Sequence, residues 1–287
     1  MTAPLIFDRR LVRARRDRAA AGFADHAFLY DEVGDRLVER LELMQRTFQR
    51  TLVLGARTGG MAARLNGRFG IETLVQSEFS ERMARAAGGL AVMADEELLP
   101  FADGSLDLVV SPLTLHSTND LPGALAQIRR TLKPDGLLLA ALFGLGTLAP
   151  LRDGFLAAES AAGQGTSPHV APFTEVRDGG SLLQRAGFAL PVADAETVIV
   201  SYENPLRLFA DLRGMGESNP LESRARHPLR RHILFETIQR LTGQAIPFEI
   251  VFLTGWAPHE SQQKPLSPGT GRVSLAKTLG GRDDNRT

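Results

Sequence analysis

The feature that most constrains this chain is an alternation that runs from Thr51 to Phe143. Nearly continuous apolar runs at TLVLGA (51–56), ETLVQSE (72–78), LAVMAD (90–95), LDLVVS (106–111) and LLLAALF (137–143) are interleaved with helical spacing at 59–68, 80–87 and 121–132. A strand apolar on both faces needs cover on both faces, which crossover helices between parallel strands supply. The KPDG stretch (133–136) closes one helix, because proline cannot continue it and glycine accepts a left-handed turn. After a Gly- and Ala-rich pause up to Pro172, the pattern resumes with a helix over 174–186, a strand over 196–202 and a last apolar strand from Phe248. The intervening segment, 203–247, has helical periodicity around a Gly-rich turn, and its length suits a lid or docking surface better than a plain connector. Ahead of the alternation, Tyr30, Val33, Leu37, Leu41, Met44 and Phe48 recur at intervals of three and four, the stripe of an amphipathic helix.

These elements predict an α/β fold with a seven-stranded, mostly parallel sheet, helices on both faces and an antiparallel last strand. The organisation expected is a basic arm and helix (1–48), an α/β domain (49–258) with the helical insertion inside it, and a polar tail (259–287). Composition then removes whole classes of chemistry. With no cysteine, disulfides, thiolate metal sites and a cysteine nucleophile are excluded. Equal counts of 33 basic and 33 acidic residues give no field for a nucleic acid. The longest apolar run, 137–143, falls far short of the ~20 residues a membrane helix needs. The expected location is therefore cytoplasmic, at most peripheral to the inner membrane. Six arginines in the first twenty residues, accompanied by Asp8 and Asp17, read as a retained basic helix rather than a cleaved signal. It is either a solvated face or a contact for an acidic partner or anionic lipid.

Ligands of open parallel sheets bind beyond the carboxyl ends of the strands. The first strand ends in Gly55-Ala56-Arg57-Thr58-Gly59-Gly60, where glycines admit close backbone approach and a helix N-terminus favours an anionic group. The same glycines are also an ordinary way to turn from strand to helix. Glu78 ends the second strand and is placed to accept ribose hydroxyls, with Ser80 as the cap of the next helix. Asp95 ends the third strand, level with Glu78, and suits the exocyclic amine of adenine. Glu96 beside it and Ser111 at the end of the fourth strand join the cofactor-binding candidates Gly55, Arg57, Gly59, Glu78 and Asp95. His116, in the loop after the fourth strand, is a candidate base near neutral pH. Tyr202, Glu217, Ser218 and Asn219 are candidates for acceptor contact. His169 and His259-Glu260 would suit an iron site only if folding brought them together, and no metal site is read from their spacing. Trp256 belongs to core or interface.

The segments TLVLGARTG, EFSERM, ADEELLPFADGSLDLVVSPLTLH and LPGALAQIRRTLKPDGLLLAALFG resemble the successive motifs of class I S-adenosylmethionine-dependent methyltransferases. A dinucleotide enzyme fits less well, because Arg57 breaks that fingerprint and no separate catalytic domain follows. Further segments, IFDRRLVRARRDRAA, SPHVAPFTEV, LLQRAGF, DLRGMGESNP and GWAPHESQQKP, are similar to the methyltransferase-like assembly factors of respiratory complex I and their bacterial relatives. That resemblance implies a Rossmann-like methyltransferase fold, S-adenosylmethionine as cofactor, and modification of an arginine on a complex I iron–sulfur subunit, by hydroxylation rather than methylation. Methyl transfer to a small or carrier-bound carboxylic acid is the second expectation, and a non-catalytic assembly chaperone the third. Two departures bear on the cofactor: an acid usually found before the first glycine is Val53, and the usual middle glycine is Arg57. A non-glycine residue in a left-handed conformation there costs roughly 1–2 kcal/mol. Its side chain would enter the cofactor space or pair with the cofactor's carboxylate.

Overall fold

The computed structural model describes residues 5–163 and 165–263, so the predicted tail from 264 to 287 lies outside the described residues. Strand β1 (Arg50–Leu54) pairs in parallel with β2 (Thr73–Glu78) on one side and with β4 (Leu106–Pro112) on the other. β3 (Leu90–Met93) lies outside β2, and β5 (Leu132–Phe143) outside β4, both in parallel. β7 (Ala245–Trp256) runs antiparallel between β5 and the edge strand β6 (Ala189–Ser201), giving the order β3-β2-β1-β4-β5-β7-β6. This is the Rossmann-like, seven-stranded, mostly parallel sheet expected from the sequence. The strand order reverses between β1 and β4, so the carboxyl ends of those two strands form the crevice where such sheets hold ligands.

Alternate residues of each strand enter opposite cores. Val53, Val110, Leu139 and Phe252 pack with α2 (Phe28–Met44), α3 (Gly60–Leu65), α6 (Ala149–Ala161) and α9 (Arg231–Leu241). Leu52, Leu54, Val109 and Leu138 pack with α5 (Leu121–Thr131) and α7 (Val176–Arg185). α4 (Glu81–Ala87) starts at Ser80, whose hydroxyl accepts the Met83 N–H at 3.1 Å. Trp256 is partly buried on the core, with Arg46 over its ring.

Three differences from the expectations have physical causes. The Gly/Ala-rich pause contains α6, because Gly154 lies against Thr237 and lets α6 and α9 approach, and Leu151, Phe155 and Ala158 seal the contact. β6 begins at Ala189 rather than 196; as an edge strand with alternating burial it lacks the continuous apolar signature of the central strands. β5 begins at Leu132 and carries KPDG as a bulge, with Asp135 at φ 63°. The insertion holds α8 (Leu206–Gly214) as well as α9.

The arm departs furthest from a solvated face. Asp8 caps α1 (Arg9–Ala19), a 3-10 segment (Ala20–His26) leads to α2, and α1 buries Val12, Arg16 and Ala19. Among the described residues no helix is long and apolar enough to cross a membrane.

Candidate functional site

The turn after β1 is shaped by the protein's own packing. Gly55 (φ 80°) faces Thr114 so closely that a Cβ would stand 2.4 Å from the threonine Cβ, and one on Gly59 (φ 93°) would stand 2.7 Å from the Ala87 carbonyl oxygen. Arg57 between them is left-handed at φ 50°, the strained conformation its position suggested. Neighbouring groups hold it there. Its backbone N–H donates to Glu78 Oε2 at 2.9 Å, and its buried guanidinium donates from Nη2 to Glu217 Oε1 (2.7 Å), Tyr30 Oη (3.0 Å) and the Leu113 carbonyl (3.1 Å). Nη2 is therefore committed to the 217 loop, α2 and the Leu113 carbonyl, while Nε and Nη1 make no hydrogen bond.

The acids at the ends of β2 and β3 converge as expected, and α1 meets them. Arg16, fully buried, donates from Nη1 to Glu96 Oε1 at 2.8 Å and lies 3.4 Å from Glu78 Oε1. Its Nη2 donates to Thr114 Oγ1 (3.1 Å) and Ser117 Oγ (3.2 Å). Arg9, on the same face one heptad earlier, bonds Asp95 Oδ1 at 2.6 Å and Glu96 Oε2, and lies 4.2 Å over the Phe79 ring. Burial alone would lower the Arg16 pKa, yet Glu96, Glu78 and Glu217 raise it. Burial alone would raise the Glu96 carboxyl, and Arg16, Arg9 and the Thr114 hydroxyl reverse that, so it stays ionised well below the usual range. Both charges persist at neutral pH because each is the other's partner.

On the far side of β4, the 3-10 turn Leu115–Ser117 carries His116 into a buried cluster. His116 Nε2 lies 3.2 Å from Glu217 Oε2, while Tyr30 donates its hydroxyl to Glu217 Oε1 at 2.8 Å. Burial depresses the His116 pKa against the pull of Glu217, with Arg57 and Arg16 adding to the depression. A neutral ring facing a carboxylate carries its proton on Nε2, which leaves Nδ1 as a lone-pair acceptor, and Nδ1 has no partner. Burial alone would raise the Glu217 carboxyl, but the His116 hydrogen bond and the guanidinium groups of Arg57 and Arg16 hold it well below the usual range. The His116 ring packs against Phe143 (4.5 Å between centroids) and Phe173 (5.9 Å).

The structure thus brings Gly55, Arg57, Gly59, Glu78, Asp95, Glu96, Ser111, His116 and Glu217 to one end of the sheet. Tyr202 stays apart, its hydroxyl bonded to none of them and its pKa raised by burial and by Asp211. Ser218 and Asn219 contribute carbonyls to Arg15. His169 pairs with Glu159 (2.7 Å) and His259 with Ser261 (2.7 Å), and among the described residues no three metal-binding side chains gather. Sequence reading missed Tyr30, which it took only for core, and Arg9 and Arg16, which it took for arm charges.

A nucleoside carrying an amino-acid chain finds suitable groups here. Arg57 Nε and Nη1 and Ser111 Oγ are buried donors without partners, and three carboxylates stand at the strand ends. The open cleft, between Tyr30, Gly55, Arg57, Gly60, Met61 and Pro112, holds about 220 Å³. Pockets for drug-sized ligands run to roughly 300–1,000 Å³. The donor set fits, while the cleft itself is smaller than that range and the carboxylates are engaged by Arg9 and Arg16 of α1.

A family model described as "Methyltransferase domain" matches residues 52–140. The chain is 38% identical over 285 residues to the Homo sapiens protein named "Arginine-hydroxylase NDUFAF5, mitochondrial", covering 95% of this chain and 83% of that one. It is 33% identical over 291 residues to the malonyl-[acyl-carrier protein] O-methyltransferase of Laribacter hongkongensis, covering 94% and 96%. Among solved structures, the Haloferax volcanii methyltransferase complex with the activator Trm112 superposes at a TM-score of 0.54 and 19% identity, covering 88% and 100%, a likeness of fold.

Proposed function

The chain belongs to the class I methyltransferase-fold family that contains the NDUFAF5 arginine hydroxylases and the malonyl-acyl carrier O-methyltransferases, and from that premise we propose that it modifies an arginine side chain of a partner protein. Glu78, Asp95 and Glu96, with Ser111, Arg57 and the Gly55–Gly59 turn, would hold S-adenosylmethionine, a cofactor that supplies an electrophilic methyl when bound. The observation that carries the substrate class is the pocket beside His116. It holds about 50 Å³, and its apolar walls, from Phe7, Leu148 and Phe173, end on the Glu217 carboxylate now paired with Arg57; opened, the arrangement would take an aliphatic stem with a cationic tip in exchange for that pair. His116 Nδ1 is the group that would receive a proton there.

The likeness to proteins named arginine hydroxylases favours gain of an oxygen, and the resemblance of the arm and the 214–219 turn to complex I assembly factors favours a complex I iron–sulfur subunit as partner. A cytoplasmic chain meeting that partner at the inner membrane, through the outward-facing Arg10 and Arg18, accords with this reading. Methyl transfer to a carrier-bound malonyl group is the second reading, favoured by the unpartnered Nε and Nη1 of Arg57, which suit a carboxylate. Mass spectrometry of candidate substrates after incubation with the protein and S-adenosylmethionine separates the two, provided dioxygen and a two-electron reductant are also present, since the oxygen gained in the first reading comes from an oxidant and not from the cofactor. An arginine peptide heavier by one oxygen supports the first, a malonyl carrier heavier by one methylene supports the second, and no change in either removes both.

A further inference from the structure

The acids at the ends of β2 and β3 have two claimants. Glu78 Oε1 is already bonded by the Ser80 N–H (3.1 Å) and faces Arg16, and Oε2 receives the Arg57 N–H. Glu96 Oε1 accepts from Arg16 and from Thr114 Oγ1 (2.7 Å), and Asp95 Oδ1 from Arg9 and the Glu97 N–H (2.9 Å). A ligand whose hydroxyls and amine reach these carboxylates needs the lone pairs that Arg9 and Arg16 of α1 now take. α1 is seated by these ion pairs and by Asp17, which accepts from Ser80 Oγ at 2.6 Å; its buried apolar residues are only Val12 and Ala19. Such a contact gives way to a ligand that satisfies the same acids more readily than a broad apolar interface does.

The same helix also fastens the loop over the acceptor pocket. Arg15 donates to the carbonyls of Ser218 (2.6 Å) and Asn219, the Asp8 N–H to the Pro220 carbonyl (2.9 Å), and Arg224 to the Asp8 carboxylate (3.1 Å). Gly216 (φ 78°) lies so close that a Cβ there would stand 3.3 Å from Arg16 Cα. Next along is Glu217, the partner of His116 and Arg57.

We infer that α1 is a plug displaced by the cofactor: S-adenosylmethionine and α1 compete for the β2 and β3 acids, and withdrawal of α1 frees the 216–221 loop that covers His116. This rests on the cofactor reading above. It orders the two binding events, because the acceptor pocket opens only after the nucleoside has taken the place of Arg9 and Arg16. It also makes the apparent affinity the intrinsic one reduced by the fraction of molecules with α1 out.

Hydrogen–deuterium exchange on the full-length chain, with and without S-adenosylmethionine, reads both parts, with calorimetry recording binding itself. Amides of 9–19 and of 216–221 are expected to exchange about tenfold faster or more with cofactor bound, against unchanged or slower exchange in β1 and β4. Arg9→Gln, which leaves Arg16 in place, is expected to bind S-adenosylmethionine several-fold tighter than wild type; Arg16→Gln has the larger effect if it folds. Binding with α1 equally or better protected, or weaker binding by Arg9→Gln, overturns the plug and leaves the functional reading standing. Binding by Arg9→Gln but not by wild type supports a plug that holds the site shut. No binding by any of them overturns the cofactor reading and the plug together.

Discussion

Replacing Arg57 by glycine, the residue usual at the middle of this turn, sets two effects of known sign against each other. Arg57 sits at φ 50°, where a residue with a Cβ costs roughly 1–2 kcal/mol that glycine does not. Its guanidinium is also the partner of Glu217 at 2.7 Å, with side-chain exposures of 3% and 12%. Removing one member of a buried pair costs about 3–5 kcal/mol, since the remaining charge is left uncompensated. Glycine adds roughly 0.4–1 kcal/mol of unfolded-state entropy. The balance predicts a loss of about 2–4 kcal/mol, so the side chain's ion pair outweighs the backbone strain at this position. At the lower end of roughly 2–4 °C per kcal/mol for large domains, Tm falls by about 4–8 °C. The pair Arg57→Gly, Glu217→Gln removes the stranded charge and is expected to recover at least half of that loss. Urea midpoints for the four members of this cycle give the coupling directly. An Arg57→Gly protein more stable than wild type would show instead that strain outweighs the ion pair.

Other outcomes follow from the same geometry. His116→Gln should lower turnover by about 10²–10⁴ while leaving cofactor affinity nearly unchanged, as measured by single-turnover kinetics beside calorimetry. Because burial lowers the His116 pKa, the acid limb of the rate profile should fall below the ordinary histidine value of about 6.5, and a limb above it would contradict a neutral base. Stability has a matching pH dependence. His116 binds its proton more readily when unfolded, so stability declines as pH drops below about 6.5; Glu96 and Glu217, depressed in the fold, add a steeper loss below about pH 4.5. Each contributes about 1.4 kcal/mol per pH unit, and Glu217→Gln should remove one such contribution from the acid limb of urea midpoints. Gly59→Ala should destabilise by more than about 2 kcal/mol, adding a backbone clash at Ala87 to left-handed strain, and truncating a single side chain should not rescue it.

The sheet was legible because its central strands are apolar on both faces, a pattern few other structures produce. The strand ends were legible to within two residues for the same reason: once 51–56, 72–78 and 90–95 are taken as strands, topology brings Gly55, Glu78, Asp95 and Ser111 together without knowledge of any contact. α1 was not. Arg9 and Arg16 share a helix face, but hydrophobic periodicity treats a charged stripe as solvent-facing, and their partners Glu78, Asp95 and Glu96 lie more than sixty residues along the chain. His116 and Glu217 could each be singled out by residue type. Their meeting depends on where the insertion folds back, which no local pattern states. Tyr30 was hidden by its place in an apolar stripe, since only its hydroxyl leaves the core.

Whether the carboxylates at the ends of β2 and β3 form a cofactor site is decided by calorimetry of S-adenosylmethionine with wild type, Glu78→Gln and Asp95→Asn. Wild type should bind saturably, and each variant should lose about tenfold or more in affinity, the worth of one charge-assisted hydrogen bond. Equal affinity in all three would place the cofactor elsewhere. No heat in any of them, and none in Arg9→Gln either, would contradict the cofactor site and leave this crevice to α1 alone.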